Sequence, residues 1–414
     1  MSAQLPRSPE EQRHGRRILY FSYWSSTEPL TDSTLIPYFR FLQEMPEVER
    51  VHFVTVERDG KGAFPWKGLD KVVHIPVPMR WKALPPLARF EVIQRVVRRM
   101  TGICKRERID VIGAKGAVAG LIAAKVAVPL GIPYIVESFE PHADYMADSG
   151  VWSRKGPYYR YAKRHERHVK STAARLVTVT NGYRDRLIAD GLDPGRISMV
   201  PSVTDITRFR FSPEDRRRVR AELGIGDRPT GIYVGKFGGL YYREEAFSVF
   251  SRMNARLGGE MHLLLLTNEP EAGLRKALVD QGIPVERISV RFAPHQEVPA
   301  YLSAADLAFS TIRYIPHGRY QSPVKNGEYW ANGLPILLTH GVSDDHVVIQ
   351  ERPYAGALFR PDLADLDAAV DHMAGLVHAP GGRDRIMALG EELRSMEIAR
   401  RAYQRLFGGG EAAV

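Results

Sequence analysis

The stretch "SPVKNGEYWANGLPILL", residues 322–338, reads as a short, sharply bounded helix followed by a strand. Ser322 is a strong N-cap and Pro323 suits the first helical position, where no backbone donor is lost. Gly333 suits the position just past the helix, and Pro335 prevents continuation. A helix is therefore expected over about 323–332. Its start presents unpaired N–H groups and roughly half a positive charge. Lys325 lies in that first turn, where a cation opposes the helix dipole unless an anion binds there too. A helix start with a lysine suits a phosphate. Glu328, one turn on, shares a face with Lys325 and can accept two hydroxyl hydrogens, as from a ribose diol. The same pair also fits an ordinary surface contact worth about 0.3 kcal/mol.

Outward from that helix, apolar strand-like runs alternate with helical ones. In the second half the strands are expected at 231–235, 262–267, 288–293, 306–310, 335–339 and 356–360. Helices are expected near 243–256, 270–282, 296–304, 344–351 and 364–377. In the first half the strands are expected at 17–22, 51–57, 72–78, 110–115, 133–138, 175–180 and 197–202. Helices fall at 31–45, capped by Thr31 or Asp32, and at 88–107. Short, continuous apolar strands mark parallel sheets covered on both faces. The alternation across both halves implies two doubly wound, Rossmann-like α/β domains facing a cleft. We place them at 1–205 (1–15 as a disordered tail) and 206–382, with helices at 383–414 that could pack back on the first domain.

The chain has 414 residues and 44% hydrophobic content, enough for more than one buried core. Its single cysteine, Cys104, excludes an internal disulfide and a cysteine-based zinc cluster. The N-terminal residues carry no apolar signal region, and the greasy run 117–136 is interrupted by Lys125, Pro129, Gly131 and Pro133. A cytoplasmic protein, peripheral on the inner face of a membrane, is expected. Net charge is +10; residues 1–205 hold 32 Lys and Arg against 22 Asp and Glu, whereas 206–414 balance at 26 each. Something acidic is expected to meet the first half.

A second glycine-rich turn supports the first reading. "GIYVGKFGGLYYREEAF" (231–247) is a strand, a turn with Gly235, Gly238 and Gly239, then a helix from about Arg243. Glycines let the backbone approach a pyrophosphate, and Lys236 adds charge. Both loops follow parallel strands, at the carboxyl edge where such sheets bind ligands.

On these residues the sequence resembles the GT-B glycosyltransferases, and is most similar to family 4 (glycosyl transferases group 1). The resemblance rests on "SPVKNGEYWANGLPILLT" (322–339), "VGKFGGLYY" (234–242), "PHADY" (141–145) and "RLVTVTNGYRDRL" (175–187). It implies a nucleotide-diphosphate sugar as donor, held by the second domain, with no metal strictly required. Glu328 would bind the ribose hydroxyls. Gly238, Gly239, Lys236 and Lys325 would line the diphosphate, with Ser322 and Arg243 beside them. His142 matches the first-domain histidine near the transferred sugar. In the family's Glu-x7-Glu pair the first position is Tyr320 here.

Other clusters bear on the acceptor. "ESFEPHADYMAD" (137–148) reads as a polar cleft wall in which His142 or Glu140 accepts the acceptor's proton, or as a solvated acidic loop. "WSRKGPYYRYAKRHERHVK" (152–170) has seven Lys and Arg against one acid, with aromatics interleaved. It suits an anionic membrane surface, and hence a glycan or lipid-linked acceptor; a solvated helix face is the plainer alternative. No nucleic-acid partner is expected. Asp365 and Asp367 read as helix-start acids rather than metal ligands. The alternatives to sugar transfer are a GT-B nucleotide-sugar 2-epimerase and a non-enzymatic basic protein binding membrane or nucleic acid.

Overall fold

The computed structural model describes residues 15–28, 31, 34–58, 66–80, 85–377 and 379–408. The expected tail and Asp32 thus fall outside the described residues, Gly15 excepted. The chain divides into two compact units: Met1–Asp144, Ser153–Val200 and Ala399–Val414 in the first, and Tyr145–Trp152 with Pro201–Ile398 in the second.

The first unit holds β1 (Arg16–Ser22), β2 (Val48–Glu57), β3 (Val72–Pro78), β4 (Val111–Lys115), β5 (Tyr134–Glu137), β6 (Arg175–Thr178) and β7 (Ile197–Met199). They form one parallel sheet in the order β3-β2-β1-β4-β5-β6-β7. β1 is flanked by β2 and β4, with Ile18 opposite Val51 and Val111. The second unit holds β8 (Thr230–Val234), β9 (His262–Leu266), β10 (Ile288–Arg291), β11 (Leu307–Ser310), β12 (Ile336–Thr339) and β13 (Gly356–Phe359), in the order β10-β9-β8-β11-β12-β13. Each strand overlaps a segment read as strand from sequence.

Why the strands read as unbroken apolar runs is visible in the second unit. Successive side chains on a strand point to opposite faces. Ile232, Leu264, Ala308, Ile336 and Leu338 pack under the helices Val298–Ala304, Val324–Ala331, Asp345–Glu351 and Gly382–Arg394. Their neighbours Tyr233, Leu263, Leu265, Phe309 and Leu337 pack under Glu244–Arg256, Glu271–Asp280 and Leu366–Val377. Both faces are covered, so both sets must be apolar. The sheet is doubly wound.

In both sheets the winding reverses beside the first strand: between β1 and β4, and between β8 and β11. Loops leaving the carboxyl ends of such neighbours diverge and leave room for a ligand. In the second unit these loops are 235–243 and 311–322.

Helix starts depart from the sequence reading in two places. After β1, Thr31 and Thr34 are already helical and the helix Ile36–Glu44 follows with Leu35 at its cap; the Thr31 hydroxyl donates to the Ser25 carbonyl at 2.7 Å rather than capping. The helix after β11 is Val324–Ala331 with Pro323 as N-cap, one residue later than expected. Ser322 therefore does not cap it, for reasons given below.

Candidate functional site

The two stretches singled out in the sequence meet in the second unit. The Lys325 side chain runs from the first turn of Val324–Ala331 to the end of β8. Its Nζ stands 4.3 Å from the ring centroid of Tyr241 and 5.7 Å from that of Tyr233. It also presses against the backbone of Gly235, where a Cβ would collide with it. Gly235 has φ +141°, and Gly238 and Gly239 are left-handed at +80° and +65°, conformations that cost a side-chain-bearing residue energy. Burial lowers the Lys325 ammonium pKa from 10.5 to about 8; Glu328 pulls it up and Lys236 pulls it further down. Lys325, Lys236 and Glu328 thus share one electrostatic neighbourhood. An anion placed there would restore the lysine's proton affinity.

The glycine turn is braced from below. The Tyr233 hydroxyl donates to the Lys236 carbonyl at 2.6 Å, and the Tyr329 hydroxyl accepts from the Val234 N–H at 3.1 Å. Tyr329 belongs to the same helix as Lys325, so that hydrogen bond locks the helix against β8. One oxygen of Glu269 accepts the Phe237 N–H, and the other accepts from Arg243 at 2.7 Å. Arg243 is the residue just before the helix Glu244–Arg256, and its charge is engaged by that carboxylate. The residue expected beside the diphosphate is thus held by a carboxylate of its own unit.

Glu328 is nearly buried, its side chain 7% exposed, and Oε1 takes a hydrogen bond from His295 Nε2 at 2.9 Å. The Arg208 guanidinium donates to His295 Nδ1 at 3.3 Å and to the His295 carbonyl at 2.6 Å. That contact leaves the ring proton on Nε2, facing Glu328. Ser322 accepts hydrogen bonds from the Ser202 N–H at 3.0 Å and from Arg394 at 2.7 Å. This is why it does not cap the helix. Arg394 also pairs with the buried Asp345, which accepts from the Asn326 amide at 2.7 Å. Glu269, His295, Arg208 and Arg394 carried no sequence signal, because each lies far along the chain from the residues it supports.

His142 and Glu140 lie in the first unit, with His142 Nδ1 3.3 Å from Glu140 Oε1. The structure resolves the expected acidic wall into separate tasks. His142–Asp148 is a helix rather than a loop. Its first turn is held by Glu166, which accepts the Ala143 N–H at 2.7 Å, and by Asp144, which binds Lys163 and Tyr159 at 2.7 Å each and Arg154 at 3.1 Å. Burial pushes the Glu166 carboxyl pKa up. Glu137 is no cleft residue: it is 2% exposed, 3.5 Å from Lys115 Nζ, and accepts from the Tyr403 hydroxyl. Asp365 accepts the Arg360 N–H at 2.7 Å, and Asp367 pairs with Arg252 at 2.6 Å. Among the described residues, no three His, Cys, Asp or Glu side chains gather as a metal site requires.

Residues 46–202 match the glycosyl transferase 4-like domain. Over this stretch the chain is similar to the glycosyl transferase 4-like proteins. Among similar proteins, it is 34% identical over 116 residues to the D-inositol 3-phosphate glycosyltransferase of Rhodococcus jostii, covering 28% of this chain and 23% of that one. It is 25% identical over 196 residues to the alpha-D-kanosaminyltransferase of Streptomyces kanamyceticus, covering 45% and 48%. The matches thus span about a quarter and about half of those relatives' lengths. Over 94% of this chain and 99% of the other, the fold is that of HepE from Anabaena, solved in complex with UDP, with a TM-score of 0.68 at 13% identity. The glycosyl transferase 4-like match lies mostly in the first unit; the loops of Lys325, Lys236 and Glu328 lie in the second.

Proposed function

We propose that this chain transfers a sugar from a nucleotide-diphosphate sugar to a hydroxyl of a glycan or lipid-linked acceptor. The observation that carries the reading is the meeting of Lys325, Lys236 and the left-handed glycine turn at the point where the second sheet reverses its winding, with Glu328 on the same helix. Backbone N–H groups, two lysines and the start of Val324–Ala331 supply positive charge. A leaving diphosphate needs that charge as the glycosidic bond breaks. Glu328, steadied by His295, accepts the ribose hydroxyls. His142, beside Glu140, serves the sugar and the acceptor hydroxyl. The lysines and amide groups can do this work without a metal. The transferases among the relatives, and the UDP bound to HepE, support the same reading.

Thermal-shift measurement against UDP-, GDP-, ADP- and TDP-sugars tests it, since a ligand bound only by the folded state stabilises by mass action. One nucleotide series is expected to raise Tm, and Glu328→Ala to abolish that rise or to raise the donor KM. Absence of any response across the panel, or full activity of Glu328→Ala, counts against the donor site.

The acceptor-side partner follows from the helix Pro157–Thr172. Of the seven cations expected in 152–170, Arg154, Lys163 and Lys170 are turned to Asp144 and Asp190. Tyr158, Arg160, Tyr161, Arg164 and Arg167 stand exposed, one and two turns apart. On the adjoining helix Ala117–Leu130, Lys125 lies 6.0 Å from the Tyr161 ring and Val128 is exposed. Rings among cations suit an anionic lipid surface. Among the described residues, no helix is long and apolar enough to cross a membrane. Charge reversal at Arg164 and Arg167 is expected to weaken sedimentation with phosphatidylglycerol vesicles; unchanged sedimentation removes this partner.

A further inference from the structure

Behind Glu328 stands a chain of contacts, each link of which is fixed. Glu328 Oε1 accepts from His295 Nε2 at 2.9 Å. A carboxylate only accepts, so Nε2 carries a proton whether the ring is neutral or charged, and the contact holds in either state. The His295 side chain is 42% exposed, so burial does not place its ring. Arg208 does: its Nη2 donates to the His295 carbonyl at 2.6 Å and to ring Nδ1 at 3.3 Å. Backbone and ring of one residue are thus held by a single guanidinium nitrogen.

Arg208 is fixed in turn. Asp205 Oδ1 accepts from the Thr207 N–H at 3.1 Å, the Thr207 hydroxyl at 2.7 Å and the Arg208 N–H at 3.2 Å, a local turn that a short acidic side chain favours. The next residue, Phe209, is buried, with its ring 5.4 Å from that of His295. The Arg208 guanidinium stands 5.4 Å from the same phenyl ring. The Phe209 carbonyl accepts from the Asn332 amide at 3.2 Å, and Asn332 ends the helix Val324–Ala331 that carries Glu328. Segment 205–209 is therefore tied to that helix twice: at its end through Asn332, and at Glu328 through Arg208 and His295. All of these residues belong to the second unit.

A pinned carboxylate differs from a free one in what it rejects. With Oε1 held by His295, the Glu328 carboxylate cannot turn about its last bond without losing that contact. A ribose diol offers it two hydroxyl hydrogens. A 2′-deoxyribose offers one, and a carboxylate that cannot turn is left with a buried, unpaired acceptor. A carboxylate released from His295 reorients to the one hydroxyl or to water, and the distinction fades. We propose that Arg208 and His295 are positioning residues that hold Glu328 for a ribose diol, and thereby select ribonucleotide over 2′-deoxyribonucleotide donors; this deepens, and rests on, the sugar-transfer reading above.

Isothermal titration of the full-length chain tests it, with UDP, GDP and ADP, the 2′-deoxy form of each, and 2′-deoxythymidine diphosphate as probes. For the base that binds, the wild type is expected to favour the ribose form at least about tenfold. His295→Phe keeps a ring against Phe209 and removes both nitrogens. It is expected to weaken the ribose form about tenfold and the 2′-deoxy form less than about twofold, so that the preference collapses. Arg208→Met keeps an unbranched stem beside Phe209 and is expected to lower the preference at least about threefold. An unchanged preference in either variant overturns the proposal, even where both affinities fall together, since an equal fall marks a purely structural tie. Should His295→Phe not fold, Arg208→Met decides alone. Equal binding of the two sugars by the wild type, or binding of a 2′-deoxy form alone, overturns the selection and leaves the transfer reading standing. If the wild type binds none of these nucleotides, the transfer reading fails, and this proposal with it.

Discussion

Lys325 Nζ lies 4.3 Å from the ring centroid of Tyr241 and against the backbone of Gly235, so the cation of one motif is seated inside the glycine turn of the other. A cation over an aromatic face is attracted by the ring's negative quadrupole, by about 0.5–2 kcal/mol according to exposure. That attraction holds the ammonium in a half-buried position where water would otherwise favour its release.

The lowered pKa of Lys325, about 8, sets a pH dependence. Below that value both folded and unfolded chains carry the proton, and the burial penalty is fully present. Between about 8 and the ordinary 10.5 the folded chain has lost a proton that the unfolded chain keeps. The ligand-free protein is therefore expected to gain stability as pH rises through that window. Nucleotide affinity runs the other way and weakens above pH 8, because the cation is lost. Calorimetric titration at pH 8 in two buffers of different ionisation enthalpy should show proton uptake on binding; no uptake would detach Lys325 from the anion.

Gly235→Ala separates strain from contact. At φ +141° an alanine is strained whatever space it has, and such positions cost about 1–3 kcal/mol. The new methyl also displaces Nζ, which can swing away because it ends a flexible chain. The expected result is a lower urea midpoint together with a weaker nucleotide Kd. A variant with native stability and native affinity would show that the turn tolerates rearrangement.

Glu269→Gln leaves the fold of β9 intact but weakens both contacts that brace the glycine turn. Phe237 N–H and Arg243 both bind the carboxylate, and a charged acceptor contributes about 1.5–3 kcal/mol per hydrogen bond. The donor KM is expected to rise about tenfold, because loss of preorganisation is felt on binding, and Tm to fall by a few degrees as the two bonds weaken. Steady-state kinetics with the donor found by thermal shift would check this, and an unchanged KM would remove Glu269 from the site.

The buried pair in the first unit predicts a stability effect. Lys115 Nζ lies 3.5 Å from Glu137 and 4.6 Å from the Tyr38 ring, while Tyr403 brings the last helix onto the same carboxylate. Removing one partner of a buried pair costs about 3–5 kcal/mol because the other charge is stranded. Lys115→Met is therefore expected to lower stability more than Tyr403→Phe, which loses one hydrogen bond, about 1.5–3 kcal/mol. Urea denaturation of both variants measures the order, and the reverse order would show that the Tyr403 hydrogen bond rather than the Lys115 charge is what stabilises Glu137.

Much of this was legible before any coordinates. The strands of the second sheet lie at continuous apolar runs, because both of its faces are covered and neither can be polar. Gly333 and Pro335 mark the helix end by local backbone geometry alone. Lys325 and Glu328 share a face by helical spacing alone. The start of that helix was misplaced by one residue for a reason no local rule contains: the hydroxyl that makes Ser322 a good cap is engaged by Ser202 and Arg394. Glu137 looked like a cleft acid because strand-end acids often are, but the helix bearing Tyr403 covers it.

The sequence by itself determined the alternation of strands and helices, the two sheets it builds, and the residue types at the two loops. These follow from periodicity and backbone preference, which act within a few residues. Only the tertiary structure decided that Lys325 enters the turn at Gly235, that His295 steadies Glu328, and that Glu269 braces Phe237 and Arg243. Those pairings depend on which strand ends the sheet order places side by side, and a winding reversal brings together loops that sequence distance keeps apart.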